Sequence, residues 1–117
     1  MEFKDTQAIY LQIVDLVCDY IVSRKWEPEG RIPSIREMGM QLEVNPNTVM
    51  RSYECLQAQG IIYNKRGVGF FVAIDADKQI TESRQKEFLE IELPHFCQRM
   101  KSLEVPLERF ISEYEKQ

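Results

Sequence analysis

The chain has 117 residues, 44% of them hydrophobic and 29% charged, with a formal net charge of −4. That composition supports one compact core with an appendage; no apolar run approaches a membrane span, and the start "MEFKDTQ" lacks the basic region and apolar stretch of a secretion signal. Three scattered cysteines without CxxC spacing and a single histidine, His95, assemble no zinc or other metal site and fit a reducing, cytoplasmic setting.

The first helix is expected from about Thr6 to Arg24, because Ile9, Ile13, Leu16, Tyr20 and Ile21 recur with a 3.6-residue period and Asp5 or Thr6 is available as N-cap. Cys18 falls inside this apolar pattern, as Cys55 does in a later one, and both read as buried, reduced thiols. In "KWEPEGRIP", Pro28, Gly30 and Pro33 end the helix in a turn and an extended segment. Ser34 then opens a second helix with "SIRE", a capping box, and Ile35, Met38 and Leu42 form its inner side. After "EVN", Asn45 is a favoured N-cap and Pro46 occupies the first helical position, where its missing N–H costs nothing. Val49, Tyr53 and Leu56 make the inward stripe of this third helix, Asn47, Met50, Arg51 and Glu54 look outward, and Gly60 is the expected stop.

Ile61–Tyr63 and Phe70–Val72 are short β-prone runs joined by "NKRGVG", a hairpin with glycines where positive φ is needed. Phe70 and Phe71 read as wing and core packing, since neighbours on a strand face opposite ways. "AIDADKQIT" reads as a polar linker. Beyond it Leu89, Leu93, Phe96, Met100 and Leu103 fall close to a heptad seam, which Pro94 should kink by removing the bond to the carbonyl of Glu90. Pro106 restarts a last helix with Leu107, Phe110, Ile111 and Tyr114 on one face. The stripe of Leu89, Leu93, Phe96, Met100 and Leu103 is too apolar for a lone helix and is expected to bury against its copy in a homodimer, with Phe110 of the last helix joining the interface.

Charge is unevenly spread. Arg31 to Val72 holds five basic residues against three acidic ones, whereas Ala73 onward holds seven basic and ten acidic. Two short helices separated by a tight turn, the second capped by Asn-Pro, followed by a basic hairpin, make a winged helix-turn-helix. Such a second helix enters the major groove with its N-terminal turn first, where free N–H groups and the helix dipole favour phosphates. A hairpin tipped by Lys65, Arg66 and Gly67 can lie on the DNA backbone or dip into the minor groove. The fold class is therefore mainly α with a small β-hairpin, a winged helix-turn-helix carrying a C-terminal helical dimerisation tail. The expected division is residues 5–75 for DNA binding and 76–117 for the tail.

Tyr10 to Val72, with "YLQI", "IPSIREMG", "VNPNTVMRS" and "GVGFFV" in that order and without a gap, resembles the N-terminal domain of GntR-family bacterial transcription regulators. The "VNPNTVMRSYE" helix and the short tail look like the YtrA-like subfamily. The resemblance places a phosphate-binding arginine at Arg36 within the P-S-x-R-E motif that Ser34 opens, helix-start contacts at Asn45, Pro46, Asn47 and Thr48, and the wing-tip glycine at Gly67. Many relatives carry arginines where this chain has Pro46 and Met50. Base reading shifts here to Asn47, suited to adenine, to Arg51, and to Met50, whose thioether offers an apolar surface to a thymine methyl; A·T-containing steps should be favoured over guanine runs.

The resemblance implies a cytoplasmic bacterial regulator, a repressor of the kind found near transporter genes, binding double-stranded DNA as a homodimer on a palindromic operator. A tail of roughly forty residues is too short to enclose a metabolite in a core of its own. The alternative is a ligand-gated sensor with an effector pocket between two tails near His95, Phe96 and Met100; a third reading is a winged helix that binds only protein. For Arg51, ion pairing with Glu43 or Glu54 competes with DNA contact. Glu87, Glu90 and Glu92 read as a solvated helix face. With no nucleophile–base constellation or phosphate loop, neither an enzyme nor a cofactor is expected.

Overall fold

The computed structural model describes residue 3 and residues 6–117. Its elements are α1 (Ile9–Val22), α2 (Ile35–Leu42), α3 (Pro46–Ala58), β1 (Ile62–Lys65), β2 (Gly69–Val72), α4 (Ala76–Glu87), a five-residue π-helical turn (Phe88–Glu92), α5 (Leu93–Ser102) and α6 (Leu107–Lys116). The chain divides into two compact units, Met1–Thr81 and Glu82–Gln117.

In the first unit α1 and α2 both pack on α3. α1 is shorter than its periodicity suggests. It starts after Ala8, which caps it without a side-chain hydrogen bond, so Thr6 is not its N-cap; Asp5 lies outside the described residues. Its buried face is Ile13, Val14, Val17, Cys18 and Ile21, while Ile9 is exposed and Leu16 and Tyr20 are half-buried. Gln12 is also buried and donates from Nε2 to the Gln7 carbonyl at 2.8 Å, closing the turn that leads into the helix.

The capping box forms as read. Ser34 Oγ accepts from the Glu37 N–H at 3.0 Å, and the Ser34 N–H donates to Glu37 Oε1 at 3.0 Å. The Ser34 backbone N–H first, and the Ser34 hydroxyl second, hold the Glu37 carboxyl below its ordinary value of 4.5, with the Arg31 charge adding a smaller pull. Since the folded value is depressed, this contribution to stability is present above the ordinary value and lost as pH falls through the folded one. Ser34→Ala should destabilise the protein by about 1 kcal/mol. In the same variant an NMR titration of the Glu37 carboxyl carbon should show its midpoint moving part of the way back up, because the N–H donor survives.

α2 and α3 are joined by a tight turn. Glu43 adopts the left-handed conformation (φ 56°), and the Val44 N–H bonds the Gly39 carbonyl at 3.0 Å. A Cβ on Gly39 would come within 3.1 Å of the Val44 carbonyl oxygen, so a side chain there requires the turn to give by a few tenths of an ångström. Val49, Tyr53 and Leu56 of α3 are fully buried. Gly60, at φ 75°, ends the helix and turns the chain into β1.

β1 and β2 pair antiparallel, with Ile62 opposite Val72 and Lys65 opposite Gly69. The segment before α2 joins them. Arg31 bridges to Phe71, the Ile32 N–H bonds the Phe70 carbonyl at 3.0 Å, and the Val72 N–H bonds the Gly30 carbonyl at 3.0 Å. Phe70 meets Tyr53 edge to face at 5.0 Å between ring centroids, and Phe71 stacks on Tyr63 at 5.8 Å on the other side of the ribbon.

Two expectations change beyond the wing. Much of the supposed polar linker is helix: Ala76 and Ile80 of α4 are buried in the same core as α1 and α3, and Arg24 pairs with Asp77 at 2.8 Å. Pro94 does not break the helical path by itself. A π-helical turn precedes it, the Leu93 N–H reaching back to the Phe88 carbonyl, and the helical path runs on through α5. In the second unit, Phe96 of α5 and Phe110 of α6 meet edge to face at 5.6 Å. Cys18 is buried as expected, but Cys55 is only half-buried, with the Gln59 side-chain amide donating to its sulfur at 3.4 Å.

Candidate nucleic-acid interface

The outward face of α3 begins with a helix start whose backbone donors are already engaged. Asn45 Oδ1 accepts from the Asn47 N–H at 2.8 Å, and the Asn45 carbonyl accepts from Thr48 at 2.9 Å and Val49 at 3.3 Å. Pro46 has no N–H to give. The expectation of free N–H groups at this end is therefore overturned: Asn as cap and Pro at the first position consume them. What remains for a ligand is the positive end of the dipole and the side chains.

Asn47 and Met50 are exposed on α3, and Thr48 is half-buried beside them. Arg51 lies one turn after Asn47, so the two share a side of the helix. Neither Glu43 nor Glu54 takes its guanidinium, which sits 3.8 Å from the centroid of the Tyr10 ring. Ala8, Ile9 and Tyr10 of α1 and Asn47, Thr48 and Arg51 of α3 line an open cleft of about 330 Å³. Ser52, fully buried below it, donates to the Tyr10 carbonyl at 2.7 Å and ties the two helices together at that level.

Arg36 is exposed in the first turn of α2, and among the described residues nothing forms a hydrogen bond or ion pair with it. Ser34 is committed to the cap, its oxygen accepting from the Glu37 N–H and its hydroxyl also serving the Glu37 carboxylate. On the wing, Lys65 Nζ stands 4.6 Å from the centroid of the Phe71 ring, which holds the ammonium on the outer face. Arg66 is exposed in the connecting turn, and Gly67 at φ 79° gives that turn its left-handed step.

Two residues join this surface that sequence reasoning left out. Tyr10 matters through its ring, and Arg31 lies along the wing, its Nε 3.1 Å from where a Cβ on Gly69 would stand. For Arg31 the sequence marks an extended segment before α2 but not the strand that it pairs with. For Tyr10 no spacing rule leads to Arg51.

Compared with known proteins, residues 9–72 match the family described as bacterial regulatory proteins, gntR family. The chain is 36% identical over 110 residues to an uncharacterized HTH-type transcriptional regulator, YhcF, of Bacillus subtilis, spanning 94% of this chain and 89% of that one. It is 30% identical over 81 residues to the B. subtilis HTH-type transcriptional repressor YtrA, spanning 69% of this chain and 62% of that one. Among solved structures, a GntR-family protein from Bacteroides thetaiotaomicron superposes with a TM-score of 0.81 at 47% identity, covering 93% of this chain and 95% of the other. AraR(DBD) in complex with operator ORR3 superposes at 0.56 and 30% identity, covering 62% and 86%.

Proposed function

From the premise that the chain belongs to the gntR family of bacterial regulatory proteins and is a DNA-binding transcription regulator, not an enzyme, we propose that it works in the cytoplasm as a homodimeric repressor on a palindromic double-stranded operator. One observation carries the reading of the site: α3 buries Val49, Ser52, Tyr53 and Leu56 while Asn47, Met50 and Arg51 stay outward. That face enters the major groove, Asn47 reading adenine and Met50 meeting a thymine methyl. Arg36 takes a backbone phosphate, and Lys65, Arg66 and Gly67 carry the wing against the flanking DNA.

Dimerisation through residues 76–117 is supported by the second unit's surface. Leu89, Phe96 and Leu103 are exposed, Leu93, Met100 and Phe110 are only half-buried, and neither α5 nor α6 buries any residue fully. Helices of ten residues with so little burial gain their stability from a partner, and a second copy supplies a matching apolar stripe. A two-fold dimer presents two α3 helices and so fits a palindrome. Repression rests on the likeness to the repressor YtrA.

The test begins with duplexes selected from a random pool. Binding to the best palindrome should fall steeply with salt, and Arg36→Ala should weaken all duplexes alike and lower the salt slope by about one per site. If that variant instead lost a single operator while nonspecific binding stayed intact, Arg36 would be a base reader. A parent protein without salt-dependent duplex binding would overturn the whole reading.

A further inference from the structure

Resting on that reading, we propose that Tyr10 is a positioning residue for DNA binding: its ring holds Arg51 against α1 so that the guanidinium meets a backbone phosphate at the mouth of the cleft. Three features converge there. The guanidinium carbon stands 3.8 Å from the ring centroid, a cation–π contact that uses none of the group's N–H donors for a hydrogen bond to an acceptor atom. The cleft opens between the start of α1 and the start of α3, with Asn47 and Thr48 as its other polar walls. No carboxylate among the described residues pairs with Arg51, so its charge is available to an anion.

Phosphate fits this place better than a base edge. Arg51 is drawn toward α1 and away from Met50, which lies outward on α3; a side chain folded back onto a neighbouring helix is withdrawn from the base edges that the helix start reaches and is left to the flanking strand. A long arginine side chain loses rotamer freedom when it engages a phosphate. One already held against an aromatic ring has lost much of it beforehand, so the contact forms with less entropic loss. Tyr10 is tied to α3 through its carbonyl, which accepts from Ser52, so the ring keeps its height relative to Arg51 whatever the phenol does.

The experiment is a double-mutant cycle on the full chain with the selected palindromic duplex, read over a salt series. Arg51→Gln should lower the salt slope by about one per site. Tyr10→Leu, which keeps apolar volume and loses the ring, should weaken binding about two- to five-fold, and Tyr10→Phe should bind as the parent does. In the Arg51→Gln background Tyr10→Leu should cost nothing further. An equal loss in both backgrounds would make Tyr10 merely structural and overturn the proposal, as would a parent-like salt slope for Arg51→Gln. A base-specific loss for Arg51→Gln would make it a reader and overturn the phosphate assignment. If the parent binds and only the cycle fails, the Tyr10 assignment falls alone; if the parent binds no duplex, both readings fall.

Discussion

Tyr53→Ala should unfold the N-terminal unit under conditions where the parent is folded. Tyr53 is fully buried in α3, its ring edge meets Phe70 of β2, and its hydroxyl donates to the Pro33 carbonyl at 2.7 Å. One side chain thus joins the recognition helix, the wing and the entrance to α2. Truncating a buried aromatic to alanine costs about 3–5 kcal/mol, a large share of the 5–15 kcal/mol that holds a typical domain. Denaturant titration measures this directly. A loss below about 1 kcal/mol would show that the three elements do not depend on this contact.

The conservative variant separates packing from hydrogen bonding. Tyr53→Phe keeps the ring and strips the Pro33 carbonyl of its donor, for an expected loss of about 1–3 kcal/mol. It also alters the response to alkali. Burial, with the Glu37 charge second, pushes the Tyr53 phenol well above its ordinary value of 10.0. A folded value above the unfolded one means that this group's contribution is fully present below about pH 10 and lost as pH rises toward the folded value. The parent should therefore lose stability above that point more steeply than Tyr53→Phe. Identical alkaline slopes would show that Tyr53 does not contribute.

The second large effect concerns assembly. Leu89→Glu combined with Leu103→Glu should convert a dimer into a monomer and reduce affinity for the palindromic operator on the order of 100-fold or more. Leu89 is 50% exposed and Leu103 63%, so neither charge has to be buried within one chain and the helices should persist by circular dichroism. Binding to a duplex carrying one half-site should change little, because α3 and the wing are untouched. Sedimentation gives the state and a binding titration the affinity. A variant that remains dimeric would remove this stripe from the interface, and a parent with equal affinity for half and whole sites would remove the dimer from DNA recognition.

Much of α3 is legible in the sequence. Ser34 with Glu37, and Asn45 with Pro46, are capping signals complete within four residues, and the capped helices form where those residues stand. The inward stripe of Val49, Tyr53 and Leu56 follows from helical period alone, and its outward complement names Asn47, Met50 and Arg51. Even the engaged donors at the start of α3 were implicit in Asn-Pro, although the general picture of a helix end as a set of free N–H groups hid them.

Contacts between residues distant along the chain were not legible. Arg31 joins the wing through Phe71, Arg51 rests on Tyr10, and Ala76 with Ile80 closes the core from a stretch whose composition reads as linker. Capping, turn chemistry and period belong to neighbouring residues, so the order of helices, the hairpin and the outward residues of α3 could be read from the chain. Which ring faces which cation, and which polar-looking stretch covers an apolar surface, depends on how the finished elements pack. Packing free energy is summed over surfaces that meet only once the chain has folded, and no local pattern encodes it.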